Sequence, residues 1–293
     1  MKEGKSILKA CIVIVALFGL MILCAGGYWV SRRIQPGPVQ KPVFQGVEYI
    51  REARSSPRPM VIHVMKIDLR TNGIRIQITP GDPEAELPLE ARTTSEFLKD
   101  FDVQVAINGD GFEPWHARGF FDYYPHSGDR VDPIGFAASE GVVYSQETDS
   151  EPRIYFSPTH RARFDIAIGG EYNVISGNAM LVIGGKPQPD LESSPAPRTA
   201  VALDRSNQTL ILVVVDGRQP GYSEGATLLE LAEIIISHDG YTAMNLDGGG
   251  SSTMVMENAM GGAKVLNSPI NQRIPGRERP VGNHLGVYAK PLP

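Results

Sequence analysis

Cysteine is nearly missing from this chain: it has two, Cys11 and Cys24, and both fall in one apolar stretch near the N-terminus. The body of the sequence therefore has no disulfide framework and no thiol chemistry. Runs of one charge sign are missing as well. The 28 basic and 33 acidic residues give a formal charge of −5 without a basic block, which argues against nucleic acid as a partner, since that calls for a basic face. Long hydrophobic runs are scarce beyond one place, Ala10 to Val30, where no charged residue occurs. About 20 apolar residues suffice for a helix to cross a bilayer.

Lys2, Lys5 and Lys9 precede that run, Arg32 and Arg33 follow it, and Tyr28 and Trp29 stand where interfacial aromatics usually sit. Residues 1–30 are read as a transmembrane signal-anchor in preference to a cleaved signal sequence. The second reading stays open because Ala25-Gly26-Gly27 supplies small residues near the end of the run. Lipidation at Cys24 is disfavoured by the large Leu23 before it. On either main reading the remainder is extracytoplasmic: held to the membrane at a cell surface or in a periplasm, or secreted if the segment is removed. Residues 31–59, with Pro36, Pro38, Pro42, Pro57 and Pro59, read as a semi-rigid spacer. Residues 60–293 are then one domain, and 42% hydrophobic content over the 293-residue chain can fill a sizeable core.

Within that domain short strand signals dominate. Val61–Asp68 and Ile74–Ile78 flank Asn72-Gly73 and read as a hairpin. His63, alone on its strand, is read as a core or surface histidine. Ile134–Ala138 and Val142–Ser145 flank Glu140-Gly141 as another hairpin, and Ile154–Phe156 makes a further strand. Arg198–Leu203 and the β-branched run Thr209–Val215 follow, the second suited to burial on both faces. Two helices are expected. Thr93 and Glu96 form a capping box that opens Thr94–Asp100, and Thr227 with Glu230 opens Thr227–Ser237, where Leu228, Leu231, Ala232 and Ile235 recur at helical spacing. The fold class is therefore α+β: a single strand-rich domain with a mostly antiparallel or mixed sheet and two main helices, preceded by one transmembrane helix.

The stretch that asks most for a cause is Asn245-Leu246-Asp247-Gly248-Gly249-Gly250-Ser251-Ser252, set between two strand-like segments. Three adjacent glycines weaken a sheet. A hairpin turn would account for some of them. An anion cradle would account for all three: the amides of Gly248, Gly249 and Gly250 would form a nest, with the Ser251 and Ser252 hydroxyls as further donors and Asp247 at its rim as acid, base or metal ligand. Asn108-Gly109-Asp110-Gly111-Phe112 ends another strand, as turn or as site, with Asp110 a candidate in its own right. The loop Trp115–His126 mixes aromatic and charged side chains, a composition that suits either sugar stacking or a loop folded on itself.

These motifs, taken together, resemble the phosphodiester glycosidase family. The resemblance rests on Asn245–Ser252, on Asn108 and its glycine loop, on Arg198-Thr199, on Asp216-Gly217-Arg218, on Tyr172–Ile183 with Gly184-Gly185, and on the closing Arg279–Ala289. The chain departs from the family where Asp110 replaces a usual glycine. The resemblance implies hydrolysis of a sugar-1-phosphodiester at its C1–O bond, on an extracytoplasmic glycan or envelope substrate such as exopolysaccharide. That chemistry needs a carboxylate, for which Asp247 and Asp216 are chosen, and Glu230, where the family carries an acidic residue, is a secondary catalytic candidate. Arg198, Thr199, Arg218, Asn108, Asn245, Gly248, Gly249, Gly250, Ser251 and Ser252 would bind sugar or phosphate. The departing phosphate needs its charge neutralised, and an oxocarbenium-like centre needs a carboxylate. The sequence requires no cofactor; a divalent cation could use the two aspartates with Asn108 and Asn245, although no ligand spacing demands one. The competing function is a non-catalytic module binding anionic glycans. Oligomeric state is not legible.

Overall fold

The β-branched run Thr209–Val215 lies near the middle of the molecule, and its alternation sets the layers. Leu210, Leu212 and Val214 point into one core with Val201, Leu203, Met244 and Ile107. Ile211, Val213 and Val215 point into a second core with Ile62, Leu231 and Ile235. A strand covered on both faces has no solvated side, so its sequence reads as an unbroken apolar run. The computed structural model describes residues 2–31, 34–119, 121–146, 151–165, 170 and 172–293.

That strand belongs to an eight-stranded sheet in the order Val39–Phe44, Val47–Arg54, Met60–Asp68, Thr209–Val215, Arg198–Asp204, Gly240–Asn245, Ala179–Ile183, Lys186–Pro187. Every neighbouring pair in it is antiparallel. Helix α3, Leu228–Ser237, covers one face through Leu228, Leu231, Ala232 and Ile235. The other face packs on two five-stranded sheets. One is ordered Ala263–Val265, Met254–Glu257, Val105–Asn108, His284–Tyr288, Arg75–Ile78; the other is ordered Val142–Ser145, Ala137–Ser139, Asn173–Ser176, Arg153–Phe156, Ala162–Phe164. Helix α2, Thr94–Asp100, seals the outer side of the first through Phe97 and Leu98. The result is a strand-rich domain of antiparallel sheets. Helix α1, Lys2–Ser31, precedes it.

Both capping boxes form as the sequence predicts. Thr93 and Glu96 exchange hydrogen bonds at the start of α2, and Thr227 and Glu230 do so at the start of α3. The Glu140-Gly141 hairpin and the pairing of Arg198–Asp204 with Thr209–Val215 also form. Two expectations need correction. Asn72-Gly73 does not close a hairpin, because Met60–Asp68 joins the large sheet and Arg75–Ile78 a different one. The spacer expected over 31–59 instead supplies the strands Val39–Phe44 and Val47–Arg54. Pro42 misled because it stands on an edge strand, where a missing N–H is tolerated; the register there shifts between Pro42 and Phe44. The anchor expected over 10–30 lies in α1, and its flanking Arg32 and Arg33 lie outside the described residues. Within α1 the side chains are described only at residues 11–24 and 26, and among the described residues no helix is long and apolar enough to cross a membrane.

Candidate functional site

Four strands end on the same side of the molecule and bring distant parts of the sequence together. Asn108 closes Val105–Asn108, Arg198 opens Arg198–Asp204, Asp216 follows Val215, and Asn245 closes Gly240–Asn245. Around them lies a cleft of about 600 Å³ lined by Gly111, Phe112, Glu113, Trp115, Ile134, Asn178, Glu192, Arg198, Arg218, Asn245, Asp247, Gly248, Gly249, Gly250 and Arg279. A groove of similar size, about 620 Å³, runs between Lys41, Phe44 and Met256 on the outer edge, but there only lysines bring positive charge.

Three carboxylates line the cleft, Glu113, Glu192 and Asp247, and Asp247 is the one set at the glycine turn. Its backbone is fixed on both sides: its N–H donates to Gly109 O at 3.0 Å, and Asn108 Nδ2 donates to its carbonyl at 2.7 Å. Asn108 is itself fully buried, its Oδ1 accepting from the Thr199 hydroxyl at 2.8 Å and from Thr253 N–H at 3.1 Å. Asn108 and Thr199 thus position the acid from behind. Burial raises the pKa of Asp247, while a Ser251 hydrogen bond, the Arg279 charge, the Gly248 N–H and the Arg218 charge oppose the rise.

The glycines have a cause beyond the expected amide nest. Gly248 N–H points to the Asp247 carboxylate, Gly249 N–H donates to Pro197 O at 2.9 Å and Ser251 N–H donates to Gly248 O at 3.2 Å. The Gly248 and Gly249 amides are therefore taken up by protein groups. What the turn needs is room. A Cβ on Gly249, where φ is +63°, would lie 3.0 Å from Arg218 Nη1, and a Cβ on Gly250 would overlap the Arg279 guanidinium. The turn is bare so that two arginines can lie on it.

Arg279 Nη1 donates to Ser251 Oγ at 3.1 Å, its Nε to Asn271 Oδ1 at 3.2 Å, and its guanidinium lies 4.8 Å from the Trp115 ring centroid. Arg198 is held by Ala226 O at 3.1 Å, Ser194 O at 2.8 Å and Glu192 Oε2 at 3.1 Å. Arg218 stands exposed at the rim in a left-handed conformation, φ 57°. On the opposite wall Asn245 donates to Asn178 Oδ1 at 2.8 Å and to Leu246 O at 2.7 Å, and its buried Oδ1 has no partner. That oxygen is free to accept from a sugar hydroxyl. Three guanidinium groups, the Asp247 carboxyl and an open amide oxygen, with Glu113 and Glu192 also on the lining, can hold a phosphorylated sugar.

Three expected site residues stand elsewhere. Asp216 is not in the cleft wall. Its Oδ1 accepts from Ser268 N–H at 2.8 Å and Asn267 Nδ2 at 3.0 Å, and its Oδ2 accepts from the Tyr222 hydroxyl at 3.2 Å and faces His63 Nε2 at 3.3 Å. With its side chain wholly buried, it ties loops together behind the site. Glu230 stays on α3, accepting from Thr227 N–H at 2.8 Å and pairing with Arg58. Ser252 is buried and its Oγ has no partner, but it does not line the cleft. Glu113 and Glu192 were not singled out from the sequence, and Asn178 and Arg279 entered only within the segments Tyr172–Ile183 and Arg279–Ala289. Only their final clustering marks these four side chains as part of the cleft. Among the described residues no group of three or more His, Cys, Asp or Glu side chains is placed to hold a metal ion.

Comparison with known proteins adds to this geometry. A sequence model of the phosphodiester glycosidase family matches residues 101–288, a span that includes every cleft-lining residue. Two N-acetylglucosamine-1-phosphodiester alpha-N-acetylglucosaminidases are similar over 63 residues, or 22% of this chain. That of Bos taurus is 44% identical over 11% of its own length, and that of Homo sapiens 41% identical over 12%. The match thus spans about a tenth of those relatives. The catalytic domain of the zebrafish enzyme of that name, auto-inhibited by its pro-peptide, superposes with a TM-score of 0.59 at 19% identity, over 88% of this chain and 86% of that one. A hypothetical protein from Synechocystis gives 0.58 at 16% identity, over 87% and 64%. These likenesses show a shared fold.

Proposed function

Because the chain belongs to the phosphodiester glycosidase family, we propose that its cleft hydrolyses a glycosyl phosphodiester by breaking the bond between the sugar C1 and the phosphate oxygen. The observation that carries this reading is Asp247 set among Arg198, Arg218 and Arg279 beside the glycine turn. The phosphate is already a good leaving group, and the arginines neutralise the charge it gains. Asp247 faces the developing oxocarbenium centre and takes the proton of the attacking water. The Asn245 oxygen orients a hydroxyl, and the exposed face of Trp115 receives the sugar ring. The substrate is an extracytoplasmic or envelope glycan, and α1 tethers the enzyme to the membrane. What supports the tether is that Ile12, Val15, Phe18, Met21 and Leu23 are all exposed on that helix.

The test is incubation of the full chain with a panel of sugar-1-phosphodiesters and mass detection of both products. Free sugar and a phosphate monoester are expected. With Asp247→Asn, turnover should fall about 10²–10⁴-fold while binding of the diester persists. Binding without turnover by the native chain across the panel would instead identify a non-catalytic module for anionic glycans.

A further inference from the structure

The cleft and Gln35, four residues beyond the last residue of α1, lie at the same end of the eight-stranded sheet. Gln35 pins the start of the domain there: its Nε2 donates to Arg54 O at 3.1 Å, Met60 O at 3.2 Å and Tyr222 O at 2.9 Å. Arg54 and Met60 are register partners. Two residues into the same strand, Ile62 pairs with Val215, and Val215 pairs with Arg198 in the cleft wall. Two strand spacings, about 10 Å, separate Met60 from Arg198 in the sheet direction. Tyr222 lies on the loop that carries Arg218 to the cleft, folded back by Gln219 N–H to Ser223 O at 2.9 Å. Ser31, the last residue of α1, precedes Gln35 by a length of chain that spans at most about 14 Å. The end of α1 therefore lies within about 40 Å of Arg198, with Gln35 fixed at the cleft end of the sheet.

The cleft mouth is suited to a bilayer holding α1. Arg198 and Arg279 make its interior polar, while Trp115 at 49% and Ile134 at 38% exposure stand at the opening beside the exposed Arg218 and Glu113. Phe121, on the same loop as Trp115, is 90% exposed. A polar interior with apolar side chains among the charges at its mouth fits an amphiphile whose phosphate enters and whose hydrocarbon stays outside.

We propose that the phosphate of the substrate is esterified to a membrane lipid alcohol, so that the enzyme cleaves a lipid-linked sugar-1-phosphodiester presented by the bilayer that holds α1. This rests on the glycosyl phosphodiester reading and on anchoring through α1. Water adds to C1 and the C1–O bond breaks with its electron pair passing to the phosphate oxygen. The proton released by water ends on that oxygen. The products are the free sugar and a lipid monophosphate that remains in the membrane.

The experiment uses the full chain reconstituted in vesicles of phosphatidylethanolamine and phosphatidylglycerol. Two probes share each sugar of the panel: a soluble methyl phosphodiester and a polyprenyl phosphodiester in the vesicle. Cleavage of the polyprenyl diester with kcat/KM about tenfold or more above the methyl diester is expected. A twelve-residue Pro-rich insert after Ser31, which lifts the domain by about 37 Å, should lower only the polyprenyl rate. Equal or better cleavage of the methyl diester by the native chain would overturn the inference and leave the hydrolase reading standing. So would an insert without effect, or release of the chain from vesicles by carbonate. Failure on both probes would remove the hydrolase reading itself.

Discussion

Gly250 is where a single added methyl group should tell most. Its Cβ would meet the Arg279 guanidinium, which is held from both ends by Ser251 and Asn271 and cannot step aside freely. Gly250→Ala should therefore raise KM for a phosphodiester about tenfold or more with a smaller change in kcat, read from initial rates. Asp110 offers a pH test. Burial pushes it up to about 7, the nearby Glu151 adds to the rise, the N–H groups of Gly111 and Gly135 oppose it, and Asp247 adds further. Its folded value lies above its unfolded one, so the native state holds the proton more tightly and stability declines as pH rises from about 4 through about 7. Asp110→Asn cannot ionise. The native chain should accordingly lose more stability than the variant between about pH 5 and about pH 8, as read from urea midpoints. Asp247 was legible at this scale because its motif is continuous in sequence. Arg279 was not, since nothing in its own neighbourhood announces that it will lie on a glycine turn near residue 250.

Elements that depend on local chemistry were the easiest to read. The capping boxes of α2 and α3 need only residues three apart, and both form as expected. Removing one should cost a predictable amount: Thr227→Ala loses the acceptor for Glu230 N–H and should lower stability by about 1 kcal/mol, measured by denaturant unfolding. Glu230→Gln should leave kcat within about twofold, because the side chain works on the helix end and on Arg58 rather than in the cleft. Pairing partners were harder to read. The Asn72-Gly73 turn is a correct local feature that joins two different sheets, and only long-range packing decides that. Asp216 likewise follows a well-read strand, yet its carboxylate turns toward His63 and Ser268, a choice made by groups far off in the chain.

For the molecule as a whole, the boundary of the folding unit follows from the sheet. A fragment beginning at Ile34 keeps Gln35 and the two outer strands and should unfold in one cooperative transition. A fragment beginning at Met60 strips Val39–Phe44 and Val47–Arg54, uncovers the long strand Met60–Asp68, and removes buried Val47, Tyr49 and Ile50. It should aggregate or melt well below the longer fragment in a thermal scan. The outer limits of the large sheet have a consequence of their own. At one margin stand Lys41 and Pro42 with a slipped register, and at the other a two-residue strand that ends in Pro187. Neither margin offers a long unbroken row of amides, so molecules crowded side by side on one surface find in this sheet no template for recruiting each other into fibrils.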